Sequence, residues 1–186
     1  MAVRIYNKSE FVNMTPDMLN VWISYHKDKL IGSAIFTANE TLCSKIVSWV
    51  SAWRGKAKEK DFIPSHVGSI IQSDGNLFVF NMAPPRATMI PLSNYLLYTK
   101  DDYKLVLRDF ELNTIWFSAD IAFHLNEFYP YLSAIRSVFT KRDTRFVSHC
   151  SELHARMLQR QNLLNGFNPE CTPLELYEEL TGVNQK

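Results

Sequence analysis

The sequence predicts one α+β domain over residues 1–186, a small antiparallel sheet packed against helices. Three observations carry that expectation. Short apolar runs bounded by turn residues mark strands, above all His66–Gln72 and Leu77–Asn81 on either side of Ser73-Asp74-Gly75-Asn76. Helix starts with a hydroxyl N-cap and a first-turn proline recur at Thr15-Pro16-Asp17 and Thr172-Pro173-Leu174-Glu175. No repeat, low-complexity tract or linker divides the chain.

The elements follow in order. Thr15 starts a short helix that runs through about Tyr25. Leu30 to Thr37 is apolar between polar neighbours and reads as a strand. Leu42, Ile46, Val47, Val50 and Trp53 recur at helical spacing, and that helix ends near Gly55 before a charged loop from Lys56 to Pro64. The Asp-Gly dipeptide makes the next two strands a hairpin. Met82 to Arg86 is a proline-bearing break, Ala87 to Ile90 a further strand and Pro91 to Leu96 a short helix. Tyr103 to Arg108 alternates as a strand does. Asp120 to Phe139 holds one or two helices interrupted at Pro130. Ser148 to about Leu164 is a helix with Leu153, Met157 and Leu164 along one stripe, ended by Gly166. The last helix opens on the capping box Thr172–Glu175 and stops at Gly182.

Composition narrows the function classes. Hydrophobic residues make up 46% and charged residues 21%, which is ordinary for a globular chain. The net charge of +1 supplies no field to gather nucleic acid or acidic lipid, and no aromatic stacking platform interleaves with a basic stripe. The cluster Arg54-Gly-Lys56-Ala-Lys58-Glu-Lys60 reads as a solvated helix end. Cys43, Cys150 and Cys171 are odd in number and widely spaced, against a disulfide framework or a CxxC metal site. Neither a metal nor a cofactor is expected. The first ten residues lack the apolar core of a signal peptide, and no apolar run spans a bilayer. The expectation is a protein cytoplasmic where it is made, compatible with a later place in a virion or a host cell.

The chemistry-bearing residues are Cys150 and His66. Cys150 opens a helix, where unpaired N–H groups and the helix dipole favour a thiolate. His66 opens a strand, from which an imidazole could take the thiol proton. With Asp74-Gly75 as a two-residue loop, opposed residues sum to 149, so Asn81 lies opposite Gly68 and diagonal to His66 on one face. An amide there would hold the ring, the third role in a nucleophile–base–orienter array. Gly68 between them would leave room for a substrate backbone or for the cysteine helix, and Ser65 and Met82 flank the same place as substrate-binding candidates. Taken singly, each has a plainer reading: a surface histidine, a small buried cysteine, a turn-forming asparagine. His149 is adjacent to Cys150 but points elsewhere on a helix, while His154 lies one turn on and could face the thiol. Cys150, His154 and Cys43 lack a fourth partner for a metal site.

These residues resemble a known family. Ser65-His66-Val67-Gly68-Ser69-Ile70 followed by Gly75-Asn76-Leu77-Phe78-Val79-Phe80-Asn81 is similar to the "SHVGI … DG … V-(F/I)-E" hairpin of circularly permuted papain-like hydrolases of the NlpC class, of phage or bacterial type. Ile90-Pro91-Leu92-Ser93-Asn94-Tyr95-Leu96 resembles their "IPL-x-x-Y-L" step, and Tyr129 to Ile135 their "Y-D-Y-L-G" helix. Cys150-Ser151-Glu152-Leu153-His154-Ala155-Arg156 resembles "C-S-E-L-V-A-R", Thr172-Pro173 the "T-P-x-D-L" tail, and Cys43 to Trp49 the "S-K-x-I-x-W" segment. The resemblance covers about residues 29–178 and makes them the core, with 1–28 an N-terminal helical extension.

The resemblance implies a permuted papain-like fold, histidine strand first and cysteine helix last. It implies Cys150 as nucleophile, His66 as base and Asn81 as orienting residue, where permuted members commonly carry an acid. A thiol hydrolase of this kind acts on amide, ester or thioester bonds, so its partner is a peptide, a peptidoglycan stem or an acyl substrate. The alternatives are acyl transfer by the same residues, or a binding or particle-structural protein that keeps the fold without catalysis. The aromatic surplus of 12 Phe, 8 Tyr and 4 Trp and the neutral Asn81 favour the last of these.

Overall fold

The computed structural model describes residues 3–38, 42–55, 62–83, 86–125 and 150–182. Six strands form one antiparallel sheet: β1 (Val3–Asn7), β2 (Ala34–Ala38), β3 (His66–Ser73), β4 (Asn76–Ala83), β5 (Arg86–Pro91) and β6 (Asp102–Arg108), in spatial order β1-β6-β2-β3-β4-β5. The helices among the described residues are α1 (Pro16–Leu30), α2 (Leu42–Gly55), α3 (Leu92–Tyr98), α4 (Thr114–Ala122), α5 (Cys150–Arg160) and α6 (Pro173–Thr181). The architecture is α+β, as expected.

Both faces of the sheet are covered. Tyr103 points to the side of α1 and α3, where its hydroxyl donates to the Leu96 carbonyl at 2.8 Å and its ring stacks on Phe11. Phe36 and Ser69 point to the other side, against Tyr177 of α6 and His154 of α5. β2 and β3 lie in the middle of the sheet, and their buried Ile35, Phe36, Val67, Ile70 and Ile71 form the centre of one apolar cluster. Burying such side chains from water is the main force that holds the two layers on the sheet, at about 25 cal/mol per Å² of apolar surface.

The β3–β4 hairpin has the anticipated register. Asp74 (φ 48°) and Gly75 (φ 79°) both take left-handed backbone, as a two-residue primed turn requires. Gly68 therefore pairs with Asn81, and Ile70 with Val79. The final helix is also as expected: the Thr172 hydroxyl accepts from the Glu175 N–H at 3.2 Å, and the Glu175 carboxylate accepts from the Thr172 N–H at 2.7 Å.

Four elements differ from expectation. The N-terminal segment is no separate extension: β1 pairs with β6 at the sheet edge, and Phe11 and Leu19 are fully buried. α1 runs to Leu30, five residues beyond Tyr25, because Trp22 and Ile23 pack on the core and carry the polar turn Lys27-Asp28-Lys29 with them. α4 starts at Thr114, where Asn113 caps the Trp116 N–H at 3.0 Å. The expected helices from about 126 to 139, together with His149, Lys56–Asp61, and Pro84 and Pro85, lie outside the described residues. α5 stops at Arg160 because Asn162 (φ 59°) and Leu164 (φ 54°) turn left-handed.

Gly68 tests the packing. A Cβ on it would sit 2.6 Å from Val79 Cγ1 and 3.5 Å from the Phe80 carbonyl oxygen. Gly68→Ala is expected to lower stability by about 1–3 kcal/mol, the usual effect of overpacking a filled core. Pairing it with Val79→Ala should recover part of that loss. Urea melts of the single and double variants check this, and a Gly68→Ala protein as stable as the parent would show that the contact is not tight.

Candidate active site

The site forms where α5 begins and β3 begins. His66 is the first residue of β3, opposite Thr37 of β2. Alternation puts its side chain on the same face as Gly68, and the hairpin register brings Asn81 to that face. α5 packs on the opposite face, the one Ser69 points to. Its first residue, Cys150, meets the imidazole around the end of the sheet and hydrogen-bonds to it. Cys150 and His66 are both half-buried.

His66 Nε2 is hydrogen-bonded to Asn81 Oδ1. An amide oxygen only accepts, so Nε2 carries a hydrogen and Nδ1 is left to take the thiol proton. The sulfur is held from further directions, because the backbone N–H groups of Val67 and Ser151 donate to it. The expectation of an amide diagonal to the histidine, with a thiol on the ring's other side, thus matches the geometry.

The electrostatics favour an ion pair. Burial on its own pushes the Cys150 thiol up, but the His66 charge and hydrogen bond, with the two backbone N–H groups, bring it below its ordinary value. Burial on its own pushes the His66 imidazolium down. The Cys150 charge and hydrogen bond, the Asn81 hydrogen bond and the Asp101 carboxylate outweigh it, so His66 lies above its ordinary value. Each partner stabilises the charged form of the other, which is how a thiolate and an imidazolium coexist in a site partly shielded from water. Cys171 behaves oppositely: burial and then the Glu175 charge push its thiol well up, into the un-ionised range.

The rivals separate cleanly. His154 is fully buried, its Nδ1 lies 2.7 Å from Ser69 Oγ, and burial lowers it to about 4. It is neutral and engaged with β3. The Cys43 side chain and His149 lie outside the described residues. Among the described residues no group of three or more His, Cys, Asp or Glu is placed to hold a metal, and no helix is long and apolar enough to cross a membrane.

The three residues expected to contact substrate are all buried. Gly68 is buried, and the space its missing side chain would leave is filled by Val79. Ser65 is buried and bonds back to β2, its N–H and its Oγ both reaching the Thr37 carbonyl, at 2.9 and 3.3 Å. Met82 follows Asn81 and so points to the other face, into the apolar cluster. All three build the scaffold beneath the site. Of the segments expected to flank a cleft, residues 56–61 of the charged loop and 84–85 of the proline-bearing break lie outside the described residues.

Several site residues escaped sequence reasoning. The Val67 N–H carries no side-chain signal at all. Asp101 precedes β6 and reaches the site only through the order β6-β2-β3. Thr37 shares a hydrogen bond with Tyr95 beside it, a contact between residues 58 apart in sequence. The Ser151 hydroxyl donates to the Cys171 carbonyl at 2.6 Å and ties the start of α5 to the segment before α6.

No family model matches the chain, and no curated protein matches it in sequence.

At neutral pH a thiol-reactive probe is expected to label Cys150 and to spare Cys171, read by peptide mass spectrometry. Equal labelling of the two would contradict the charge pairing described above. Asn81→Ala removes a bond that raises His66, so the His66 titration midpoint, followed by its ring NMR signals, should move to lower pH. Asn81→Asp adds a negative charge and should move it to higher pH. A midpoint unchanged in both variants would mean that residue 81 does not hold the ring in solution.

Proposed function

We propose that this protein is a cysteine hydrolase that cleaves an amide, ester or thioester bond through a thioacyl intermediate. The observation that carries the reading is the contact of the Cys150 thiol with an imidazole whose far nitrogen is held by Asn81. Cys150 is the nucleophile, His66 the general base and acid, and Asn81 the residue that orients the ring. The order of histidine strand before cysteine helix is the one the permuted papain-like resemblance implies, and the α+β architecture is compatible with it.

The chemistry follows from the geometry. The Cys150 thiolate attacks the carbonyl carbon, and the charge that develops on the carbonyl oxygen lies near the start of α5. The His66 imidazolium gives its proton to the departing nitrogen, oxygen or sulfur as the bond breaks, leaving a thioester. His66, now neutral, takes a proton from water, which attacks the thioester. The acid leaves and the thiol is restored. An amine or alcohol in place of that water would turn the same steps into acyl transfer.

Short peptides, cell-wall stem peptides, acyl esters and acyl thioesters form the substrate screen. Cys150→Ala and His66→Ala are each expected to reduce turnover by at least about a thousandfold, the scale at which members of such a unit act. Cys171→Ala should keep it. Turnover that survives Cys150→Ala would overturn the reading. A Cys150 that titrates as a free thiol and resists labelling would instead favour a binding protein on the same scaffold.

A further inference from the structure

Cys150 and His154 stand one turn apart on α5, and His66 and Ser69 stand three residues apart on β3. The two elements therefore meet at two polar points: thiol on imidazole at the end of the sheet, and imidazole on hydroxyl inside it. The inner point lies in an otherwise apolar seam. Leu153, Met157 and Leu158 of α5 and Val67 and Ile71 of β3 are buried in the same cluster, and the Phe117 ring meets His154 edge-on.

A histidine is an expensive choice for that place. It is fully buried, and among the described residues its Nε2 has no hydrogen-bond partner. A buried polar atom left unpaired opposes folding, and an aliphatic side chain of similar size would avoid the penalty. An apolar seam, however, specifies a helix's slide and rotation only loosely, whereas one buried polar pair allows a single register. Sulfur and imidazole must stay within hydrogen-bond reach for the proton to pass, and a shift of about 1 Å can cost about a hundredfold in rate.

We infer that the Ser69–His154 hydrogen bond is a positioning device that locks α5 in register on β3 and so holds Cys150 against His66. The inference rests on the reading of Cys150 and His66 as a nucleophile and its base. Ser69 and His154 touch no reacting atom; they act through the placement of the helix.

The test is the pH profile of Cys150 alkylation by iodoacetamide, resolved by peptide mass spectrometry, in the full chain and in Ser69→Ala, His154→Val and the double variant, each checked by thermal melting. The two single variants are expected to alkylate about tenfold more slowly than the parent at mildly acidic pH, the effect of a midpoint raised by about one unit. Ser69→Thr keeps the hydroxyl and should keep the parent profile. The double variant replaces the polar pair with apolar groups, so its melting temperature should recover while its midpoint stays raised; it also serves if a single variant does not fold. Ring NMR of the parent gives a readout free of substitution: alkylating Cys150 is expected to shift the His154 signals. A folded variant whose profile superimposes on the parent's, or His154 signals unmoved by alkylation, would overturn this inference alone. A parent Cys150 that titrates as a free thiol would overturn the hydrolase reading with it.

Discussion

The turn at Asp74 and Gly75 governs where two side chains fifteen residues apart come to lie. Its two left-handed residues leave a single way to fold β4 back on β3, and the pairing of Gly68 with Asn81 follows. A slip of one residue would turn Asn81 to the opposite face and put Phe80 in its place, because side chains alternate strictly along a strand. Burial protects the register. Val79 lies over Gly68 on one face, while Phe80 and Met82 enter the core on the other, so a one-residue slip would take each from the space that fits it and turn the Asn81 amide into the apolar cluster. The contact between Asn81 and His66 thus inherits the stability of the whole hairpin.

The second half of the site depends on a helix terminus. α5 presents its first residue where β3 starts, so the thiol meets both the imidazole and the free Val67 N–H at the end of the sheet. Burial opposes either charge by itself, and the pair is favoured only when both charges appear together. That makes the reactive form sensitive to small displacements. Ties remote from the sulfur therefore matter, among them Ser151 on the Cys171 carbonyl and Arg160, whose Nη1 donates to both carboxylate oxygens of Asp120 at 2.6 and 2.7 Å and links the far end of α5 to α4.

What could be read in the sequence was local. The Asp-Gly turn, the Thr172 capping box and the short apolar runs of β3 and β4 are each decided by neighbours within a few residues, and the structure has them as read. The pairing of His66 with Asn81 was legible for the same reason, since a turn of known length links the two. Cys150 was legible from its place at the start of an amphipathic run, and the motif that run resembles pointed to the same residue. β1 was not legible, because Val3–Asn7 alternates poorly and is a strand only by virtue of pairing with β6 a hundred residues away. The burial of Gly68, Ser65 and Met82 depends on what covers them, which no local pattern records. Leu164 fits the apolar stripe of α5 and yet lies beyond its end, because the chain turns left-handed at Asn162.

A neutral orienting residue changes what the rest of the site has to do. A carboxylate beside the ring would both hold it and stabilise its positive charge; Asn81 holds it and contributes only a dipole. The positive ring then depends on the thiolate itself and, at longer range, on Asp101. A charge stabilised chiefly by its own reaction partner weakens once that partner is acylated and becomes neutral. In the proposed hydrolase cycle the imidazole would then give up its proton more readily at the thioester stage, which would suit it to act as a base toward water in the second half. On the proposed hydrolase reading, the residue that makes the resting pair weaker than a carboxylate-supported one would favour the step that releases the acyl group, with His66 changing role chiefly through the charge state of Cys150.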